Sequence, residues 1–553
     1  MNNNISVGLG TSSENGENNT CIGQAVLTNR SKNANNNTGL GAFALYSNQS
    51  GDNNVAIGTN SLLYNKDGSN NIAVGPAALM NNIESGLVAV GANALENNKT
   101  GFNNTAIGTS SLQNNSNGNF NTSIGAYSLL NNINGNSNIG IGNNSLSSNR
   151  TGVENIAIGT NSLNSNIIGD NNVSIGINSL HNNTIGVSNV AIGYNTLTNN
   201  SKGNYNVATG NVSLNKNTTG SYNVSNGYSA LYNNTTGNNN IGIGSFSLFN
   251  NQNGTNNIAV GPSALLNNIK SGLVAIGANA LENNTNGINN VAVGTNSLQN
   301  NTIGINNTAF GNSSLENNTT GENNTSIGTS SLYKNTIGFN NTAIGLNSLL
   351  CNEIGNNNVA IGLNSLYNNT TGINNVAIGN SSLENNTTGE NNTAIGLVAG
   401  FNLTSGSNNT FIGTGSDKED TYYELNNSII LGNTAITTLY CAANTITALS
   451  DERDKSDIVP ISNGLEFISK LNPVSFNWNT RDGSKKDISD SGFTAQNLLQ
   501  AQIDTGITIP GLVENTNPNK LLASYSKLLP IMVKAIQDLK LEVDSLKQQL
   551  SNQ

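Results

Sequence analysis

Side chains that usually carry enzyme chemistry are scarce in this sequence. A single histidine, His181, stands among 553 residues, so a hydrolase triad or a histidine-ligated metal has almost nothing to draw on. The three cysteines, Cys21, Cys351 and Cys441, lie far apart and are odd in number, which predicts neither a disulfide framework nor a zinc site. The sequence therefore predicts no metal and no cofactor.

Carboxylates recur without forming a pair suited to acid–base catalysis. A glycan-degrading enzyme needs two carboxylates flanking a cleft, with supporting aromatic residues, and no such cluster stands in the repeats. Calcium-binding roll repeats need Asp at fixed positions, and Asp is rare here. Four glutamates each follow a repeated glycine by five residues: Glu96, Glu282, Glu316 and Glu384. We interpret them as solvated positions that limit aggregation, with a glycan or ion site as the alternative.

Composition excludes further classes of protein. Only 9% of the residues are charged and 35% are hydrophobic, which is too little apolar bulk for several ordinary cores. The net charge is −10, and the 21 Lys and Arg residues are thinly spread, which disfavours a nucleic-acid partner. The N-terminus lacks the basic and apolar regions of a secretory signal, and no run approaches 18 apolar residues. We expect no signal peptide and no membrane insertion.

The elements that organise the chain are internal repeats. A glycine that usually follows an apolar residue recurs 24 times between Gly23 and Gly413, and nearly every step is 17 residues. The step has one extra residue after Gly23, and it falls to 16 residues after Gly75 and again after Gly261. The segments around the two short steps, 72–76 and 258–262, are identical, which indicates duplication of a whole block.

One repeat, residues 357–373, illustrates the local logic. Val359 and Ile361 flank the small Ala360, a pattern that predicts a short strand with the two β-branched residues on one face. We expect a second strand at Asn-Ser-Leu, residues 364–366, and a turn at Asn-Asn-Thr-Thr-Gly, residues 368–372. A unit of two strands and two turns is one coil of a parallel β-solenoid (β-roll), and stacked coils would align buried asparagines into amide ladders.

The alternative reading is a disordered low-complexity tract. Ile, Val and Leu recur at fixed places in each repeat, whereas a solvated tract would scatter them. At about 4.8 Å per coil, 24 coils predict a rod on the order of 110 Å long. Each coil offers few large apolar side chains, so we expect three copies to bury their flat faces against one another as a homotrimer.

The character of the chain changes after the repeats. We predict a solenoid over 1–414, a β connector over 415–449 and a small α/β domain over 450–553. The last domain ends in a helix with a heptad stripe, which is typical of a coiled coil and predicts an oligomerisation surface. The stripe comprises Leu529, Met532, Ile536, Leu539, Val543, Leu546 and Leu550.

Four segments of the C-terminal part occur in the order of a known family. They are Ser-Asp-Glu-Arg-Asp-Lys-Ser-Asp-Ile (450–458), Gly-Leu-Glu-Phe-Ile-Ser-Lys-Leu-Asn-Pro-Val-Ser-Phe-Asn-Trp (464–478), Gly-Phe-Thr-Ala-Gln (492–496) and Tyr-Ser-Lys-Leu-Leu-Pro-Ile-Met-Val-Lys-Ala-Ile-Gln-Asp-Leu (525–539). Together they make residues 450–553 closely resemble the self-cleaving intramolecular chaperone of endosialidase-type phage tailspikes and fibres. The repeats resemble the β-roll heads of trimeric autotransporter adhesins and related phage fibres, and a left-handed coil is implied by that resemblance alone.

The resemblance implies a serine–lysine peptidase that acts only on its own chain. Ser450 would be the nucleophile and Lys455 the general base, with Arg453 favouring the neutral amine and Asp451 opposing it. The cut would fall beside Ser450, at Leu449–Ser450 or at Ser450–Asp451. The alternative is that Ser450 merely caps a helix that begins with Asp451, while Lys455 is solvated.

These parts together predict a structural virion protein, a tail fibre or spike that attaches to a host. Sliding one chain by a repeat preserves almost every contact, so the coils need a terminal domain that fixes their stagger and is then removed. The expected partners are two further copies, virion structural proteins and a host-surface glycan or protein receptor. Synthesis is expected in the host cytoplasm. The rivals are a glycan-degrading tailspike and a cell-surface adhesin.

Overall fold

A computed structural model describes most of the chain. The described residues are 3–11, 16–28, 33–416, 423–436, 438–440, 450–462, 464–481, 485–515, 517 and 521–552. The predicted connector, 415–449, is described only in part, and both Cys441 and Leu449 lie outside the described residues.

Most of the described chain is one parallel sheet of 26 three-residue strands, each paired with the strands before and after it. In chain order, β1 to β26 are Ile5–Val7, Thr20–Ile22, Thr38–Leu40, Val55–Ile57, Ile72–Val74, Val88–Val90, Thr105–Ile107, Thr122–Ile124, Ile139–Ile141, Ile156–Ile158, Val173–Ile175, Val190–Ile192, Val207–Thr209, Val224–Asn226, Ile241–Ile243, Ile258–Val260, Val274–Ile276, Val291–Val293, Thr308–Phe310, Thr325–Ile327, Thr342–Ile344, Val359–Ile361, Val376–Ile378, Thr393–Ile395, Thr410–Ile412 and Ile429–Leu431. This is a parallel β-solenoid of 17-residue coils, as the repeats predicted.

The sheet extends one strand beyond the counted repeats at each end. β1 stands before Gly8, and β26 stands before Gly432 and pairs in parallel with β25. Neither glycine lies 17 residues from its neighbour in the series, so a fixed period could not find them. Part of the stretch predicted as an irregular connector therefore continues the solenoid.

The small residue of each strand faces the interior. Ala360 is fully buried, whereas Val359 and Ile361 on its two sides are partly exposed. The interior is narrow because the same strand positions stack directly, with Val359 opposite Val376 and Ile361 opposite Ile378. Leu366 is the one large apolar side chain that this coil buries completely.

The predicted second strand is wrong. Residues 364–366 form a turn in which Asn364 and Leu366 both have positive φ angles, 53° and 50°. Ser365 and Leu366 are both fully buried. Successive side chains of a strand point to opposite faces, so an extended segment could not bury both of them. Each coil therefore has one strand, and a tight left-handed turn brings the leucine inside.

Buried asparagines form the predicted ladders. Asn369 Nδ2 donates to Asn352 Oδ1 of the preceding coil at 2.8 Å and to the Gly372 carbonyl at 3.1 Å. A second column begins each coil, where Asn358 Oδ1 accepts the Asn375 backbone N–H at 2.9 Å. Buried amides are stable only when they are hydrogen-bonded, and these columns satisfy one another along the rod.

The repeated glycine is required by the close stacking of coils. Gly362 has φ of +132°, and a Cβ atom there would lie 2.4 Å from the Gly379 carbonyl oxygen. Any side chain at this turn would both strain the backbone and collide with the next coil.

The two short coils replace the asparagine before the strand with a leucine. Leu87 and Leu273 are fully buried, and their backbone N–H groups donate to Asn71 and Asn257 side-chain oxygens at 3.0 and 3.1 Å. The strands on either side keep their pairing. The ladder ends locally at these leucines because they have no amide with which to continue it.

The C-terminal region is a small mixed unit. A 3-10 helix, Glu452–Asp454, precedes α1, Gly464–Ser469, and an antiparallel pair, β27 (Val474–Asn479) and β28 (Lys486–Gly492). Then follow α2 (Ala495–Thr505), the paired β29 (Val513–Glu514) and β30 (Leu522–Ala523), a 3-10 helix at Tyr525–Lys527, and α3 (Leu528–Ser551). Its core comprises Phe467, Leu498, Ala501, Leu512, Leu528 and Ile531.

Candidate functional site

The structure places Ser450 and Lys455 in direct contact. Lys455 Nζ lies 2.8 Å from Ser450 Oγ and 3.2 Å from the Ser450 carbonyl oxygen. The 3-10 helix Glu452–Asp454 makes this contact possible, because one short turn folds residue 455 back toward residue 450. The Lys455 backbone N–H closes that turn on the Glu452 carbonyl at 3.1 Å.

Asp451, rather than Ser450, caps this turn. Asp451 Oδ1 accepts the Arg453 backbone N–H at 2.9 Å. The capping role considered for Ser450 is therefore wrong, and the Ser450 hydroxyl is left to Lys455. The sequence analysis missed the Asp451 cap, although an aspartate two residues before the bonded N–H is a recognisable signal.

Arg453 does not contribute the free positive charge considered from the sequence. Its guanidinium lies 2.6 Å from Asp451 Oδ2. The hydrogen bonds from Arg453 hold the pKa of Asp451 below its usual value, and the Asp451 carboxylate in turn raises the pKa of Arg453. The two opposite charges offset each other before either can influence Lys455.

Both members of the Ser450–Lys455 contact are exposed in the single chain. As arranged, the lysine donates to the serine oxygens, so it would have to lose a proton before it could accept the hydroxyl proton. Proton transfer over 2.8 Å is within hydrogen-bond reach. The geometry thus suits a nucleophile and a base, and its surroundings lack the apolar cover that favours a neutral amine.

The predicted heptad stripe lies on α3 and is uncovered. All seven residues, Leu529, Met532, Ile536, Leu539, Val543, Leu546 and Leu550, are exposed, with Ile536 at 66% and Leu550 at 73%. A different face of the helix packs on the C-terminal core through Leu528, Ile531 and Ala535. The i, i+3, i+7 spacing of these three residues was present in the sequence and was not used.

A polar contact joins α1 to α3. Asp538 Oδ2 accepts the Leu465 backbone N–H at 3.4 Å, and Asp538 Oδ1 pairs with Lys534 Nζ at 2.5 Å. Gly464 allows the close approach, because a Cβ atom there would lie 2.5 Å from the Ala535 nitrogen. These residues position the helix that carries the heptad stripe, and only the absence of a side chain at Gly464 could have hinted at it.

No metal centre is evident in the part of the chain that the structure describes. No three His, Cys, Asp or Glu residues come together there as a ligand group. Cys21 is buried, and burial raises the pKa of its thiol to about 11. Among the described helices, none combines the length and apolar character needed to cross a bilayer.

Comparison with known proteins identifies the C-terminal region. Residues 450–507 match the family described as the chaperone of endosialidase. The match begins at Ser450 and covers the Ser450–Lys455 contact, α1, the β27–β28 pair and α2. No curated protein and no solved structure matches the chain.

Proposed function

Because residues 450–507 form a chaperone-of-endosialidase domain after a long β-solenoid, we propose that this chain is a phage-type fibre or spike protein that carries its own assembly chaperone. The solenoid is the permanent part and forms a homotrimer. The C-terminal region, 450–553, aligns three chains through the heptad stripe of α3 and is then released by cleavage beside Ser450. The assembled rod joins virion structural proteins and attaches to a host surface.

One observation carries this proposal: the pairing between coils is nearly the same along the whole rod. Val359 stacks on Val376 just as Val190 stacks on Val207. A chain displaced by one coil against its neighbours would keep almost the same contacts, so the coils alone do not select one alignment. The C-terminal core has a unique set of side chains, and a trimer built on it has only one alignment.

The proposed cleavage follows from the reach of the serine hydroxyl. Attack by Ser450 Oγ on the preceding carbonyl carbon, that of Leu449, closes a five-membered ring, whereas attack on its own carbonyl would need a strained four-membered ring. We therefore assign the cut to the Leu449–Ser450 bond. The new O–C bond forms an ester as the C–N bond breaks, and the hydroxyl proton passes through Lys455 to the departing amine. Water then hydrolyses the ester.

Exposure of the dyad in one chain supports a coupling between cleavage and assembly. A lysine becomes an effective base when neighbouring groups exclude water from it. We propose that neighbouring chains supply this cover when the C-terminal regions associate, because the single chain does not. Cleavage would then occur only in an aligned trimer, whose stability afterwards depends on slow unfolding.

Intact mass and native mass of the purified full-length product test the proposal. The expected result is a trimer whose chains end at Leu449, having lost about a fifth of their length. The variants Ser450→Ala and Lys455→Ala should remain uncleaved yet form trimers. A wild-type trimer that stays at 57.4 kDa per chain would overturn self-cleavage, and loss of trimers in both variants would assign these residues to folding instead.

A further inference from the structure

Exposed aromatic rings concentrate in one part of the solenoid. Seven of the chain's 14 Tyr and 12 Phe residues fall in residues 194–249, about a tenth of its length. We name this stretch the aromatic band. Its rings belong to Tyr194, Tyr205, Tyr222, Tyr228, Tyr232, Phe246 and Phe249.

Four of these rings form a continuous cluster. Tyr228 meets Phe246 edge to face at 5.2 Å between centroids, and Phe246 meets Phe249 at 5.7 Å. Phe249 stacks on Tyr232 at 5.4 Å. Among the described residues, the other aromatic contacts are isolated pairs. A group of four solvent-facing rings is larger than packing of one coil on the next requires.

A second aromatic surface lies on another edge of the same coils. Tyr205 and Tyr222 stack at 5.0 Å, and each remains at least half exposed. Both sit immediately before the buried asparagine that opens a strand, a position that other coils fill mainly with Asn or Ser. The replacement of small polar residues by tyrosine in two consecutive coils makes a local apolar platform.

The band is also positively charged within an acidic chain. No Asp or Glu occurs between Asp170 and Glu282, whereas Lys202, Lys216 and Lys270 do. Lys216 Nζ lies 5.1 Å from the centre of the Tyr232 ring and 2.9 Å from Asn233 Oδ1. In a protein of net charge −10, this stretch is the one to which an anion is attracted.

The outward face of the sheet changes in the same coils. The third strand position is almost everywhere Ile, Val, Leu or Phe, but it is Thr209 in β13 and Asn226 in β14. The apolar row proposed to contact other chains is therefore interrupted where the rings cluster. This supports a local role for the band other than uniform packing between copies.

We propose that the aromatic band binds a carboxylated polysaccharide of the host surface, an inference that rests on the fibre function proposed above. The C–H face of a sugar ring is apolar and packs on aromatic rings, while its hydroxyls remain in water. Lys202 and Lys216 attract the carboxylates, and no protein carboxylate nearby repels them. Because glycoside hydrolysis uses paired carboxylates, a band without them holds the polymer without cutting it.

Binding of the full-length trimer to immobilised polysaccharides tests this inference. The probes are polygalacturonate, alginate and hyaluronate, each beside its carboxyl-reduced, neutral form. At least one acidic polymer should bind about tenfold or more tightly than its neutral form, and this preference should weaken as salt rises from 50 to about 300 mM. Failure of all three acidic polymers, or equal binding of the neutral forms, would overturn the inference.

Matched variants locate the site. Lys216→Glu should weaken binding about fivefold or more, and the double variant Tyr228→Ala, Phe246→Ala should abolish it. The control is Lys334→Glu, at the same position of a later coil, where Glu353 lies nearby. An equal loss in the Lys334 variant would place binding elsewhere. Trimer formation and cleavage are measured in each preparation: an unassembled wild type contradicts the fibre function, whereas a cleaved trimer that binds nothing contradicts only this inference.

Discussion

The solenoid and the C-terminal region stabilise themselves in opposite ways. Each coil buries one leucine and a few small residues, and its asparagines bond to identical asparagines above and below. The C-terminal region instead gathers Phe467, Leu498 and Ile531 from distant parts of the chain into one core. Repetition gives a long rod but no preferred alignment, whereas a unique core gives an alignment but no length.

The largest effect is expected on the heptad stripe. Leu539→Asp should abolish trimer formation by the full chain, because it places a charge in the surface proposed to join three helices. Native mass spectrometry measures the outcome. Leu541→Asp is the control, since Leu541 is equally exposed on α3 but lies off the stripe. Trimers that survive the Leu539 change would remove α3 from the proposed interface.

Removing one buried leucine from each region sharpens the comparison. Leu366→Ala and Leu498→Ala should each cost about 2–5 kcal/mol of unfolding free energy. In the solenoid the loss stays local, because each coil touches only its neighbours. In the C-terminal core it should unfold the whole unit and reduce assembly. Hydrogen exchange checks this, and protection lost along the entire solenoid in the Leu366 variant would contradict it.

The asparagine ladder should show a smaller effect. Asn369→Ala leaves the Asn352 side-chain oxygen without its donor and removes one of two donors to the Gly372 carbonyl. We expect a loss of about 1–3 kcal/mol, measured by denaturant unfolding of the rod. Asn368→Ala, next to it but only part-buried, should cost much less. Equal costs would mean that the buried ladder is not the stabilising feature.

The smallest effect concerns acid stability of the C-terminal region. The Lys534 hydrogen bond lowers the pKa of Asp538. A carboxyl whose pKa is lowered on folding stabilises the fold above its ordinary value, near 3.9, and this contribution disappears as the pH falls through the lower, folded value. Asp538→Asn should therefore reduce stability at neutral pH and flatten its acid dependence. Asp544→Asn, in an exposed pair with Lys540, is the control.

Periodicity made much of the solenoid predictable. A fixed 17-residue step, with small residues between β-branched ones, predicted parallel stacking and buried amide columns before any coordinates. The strand expected at Asn364–Leu366 failed because burying two consecutive side chains needs left-handed backbone, which Asn tolerates but Leu rarely adopts. Strands β1 and β26 escaped because their steps depart from the period.

The C-terminal region was predictable from motifs more than from patterns. The order of four segments implied the Ser450–Lys455 contact, and the model brings these side chains together. Neither Asp451 as the cap nor its ion pair with Arg453 was foreseen, because the local charge was weighed as a sum and not as a bonded pair. The buried face of α3 was also missed, since the stronger heptad stripe on the same helix drew the interpretation.

Spin-label distances at Cys351 test most directly whether the coils can align themselves. Cys351 is partly exposed and Cys21 is buried, so a Cys441→Ser background directs the label to one coil. Full-length trimers should give a single distance between labels. A chain ending at residue 449 should give several, lengthened by multiples of the coil rise of about 4.8 Å. If the shorter chain gives the same single distance and the same yield of heat-resistant trimers, the coils choose their own alignment and the account is contradicted.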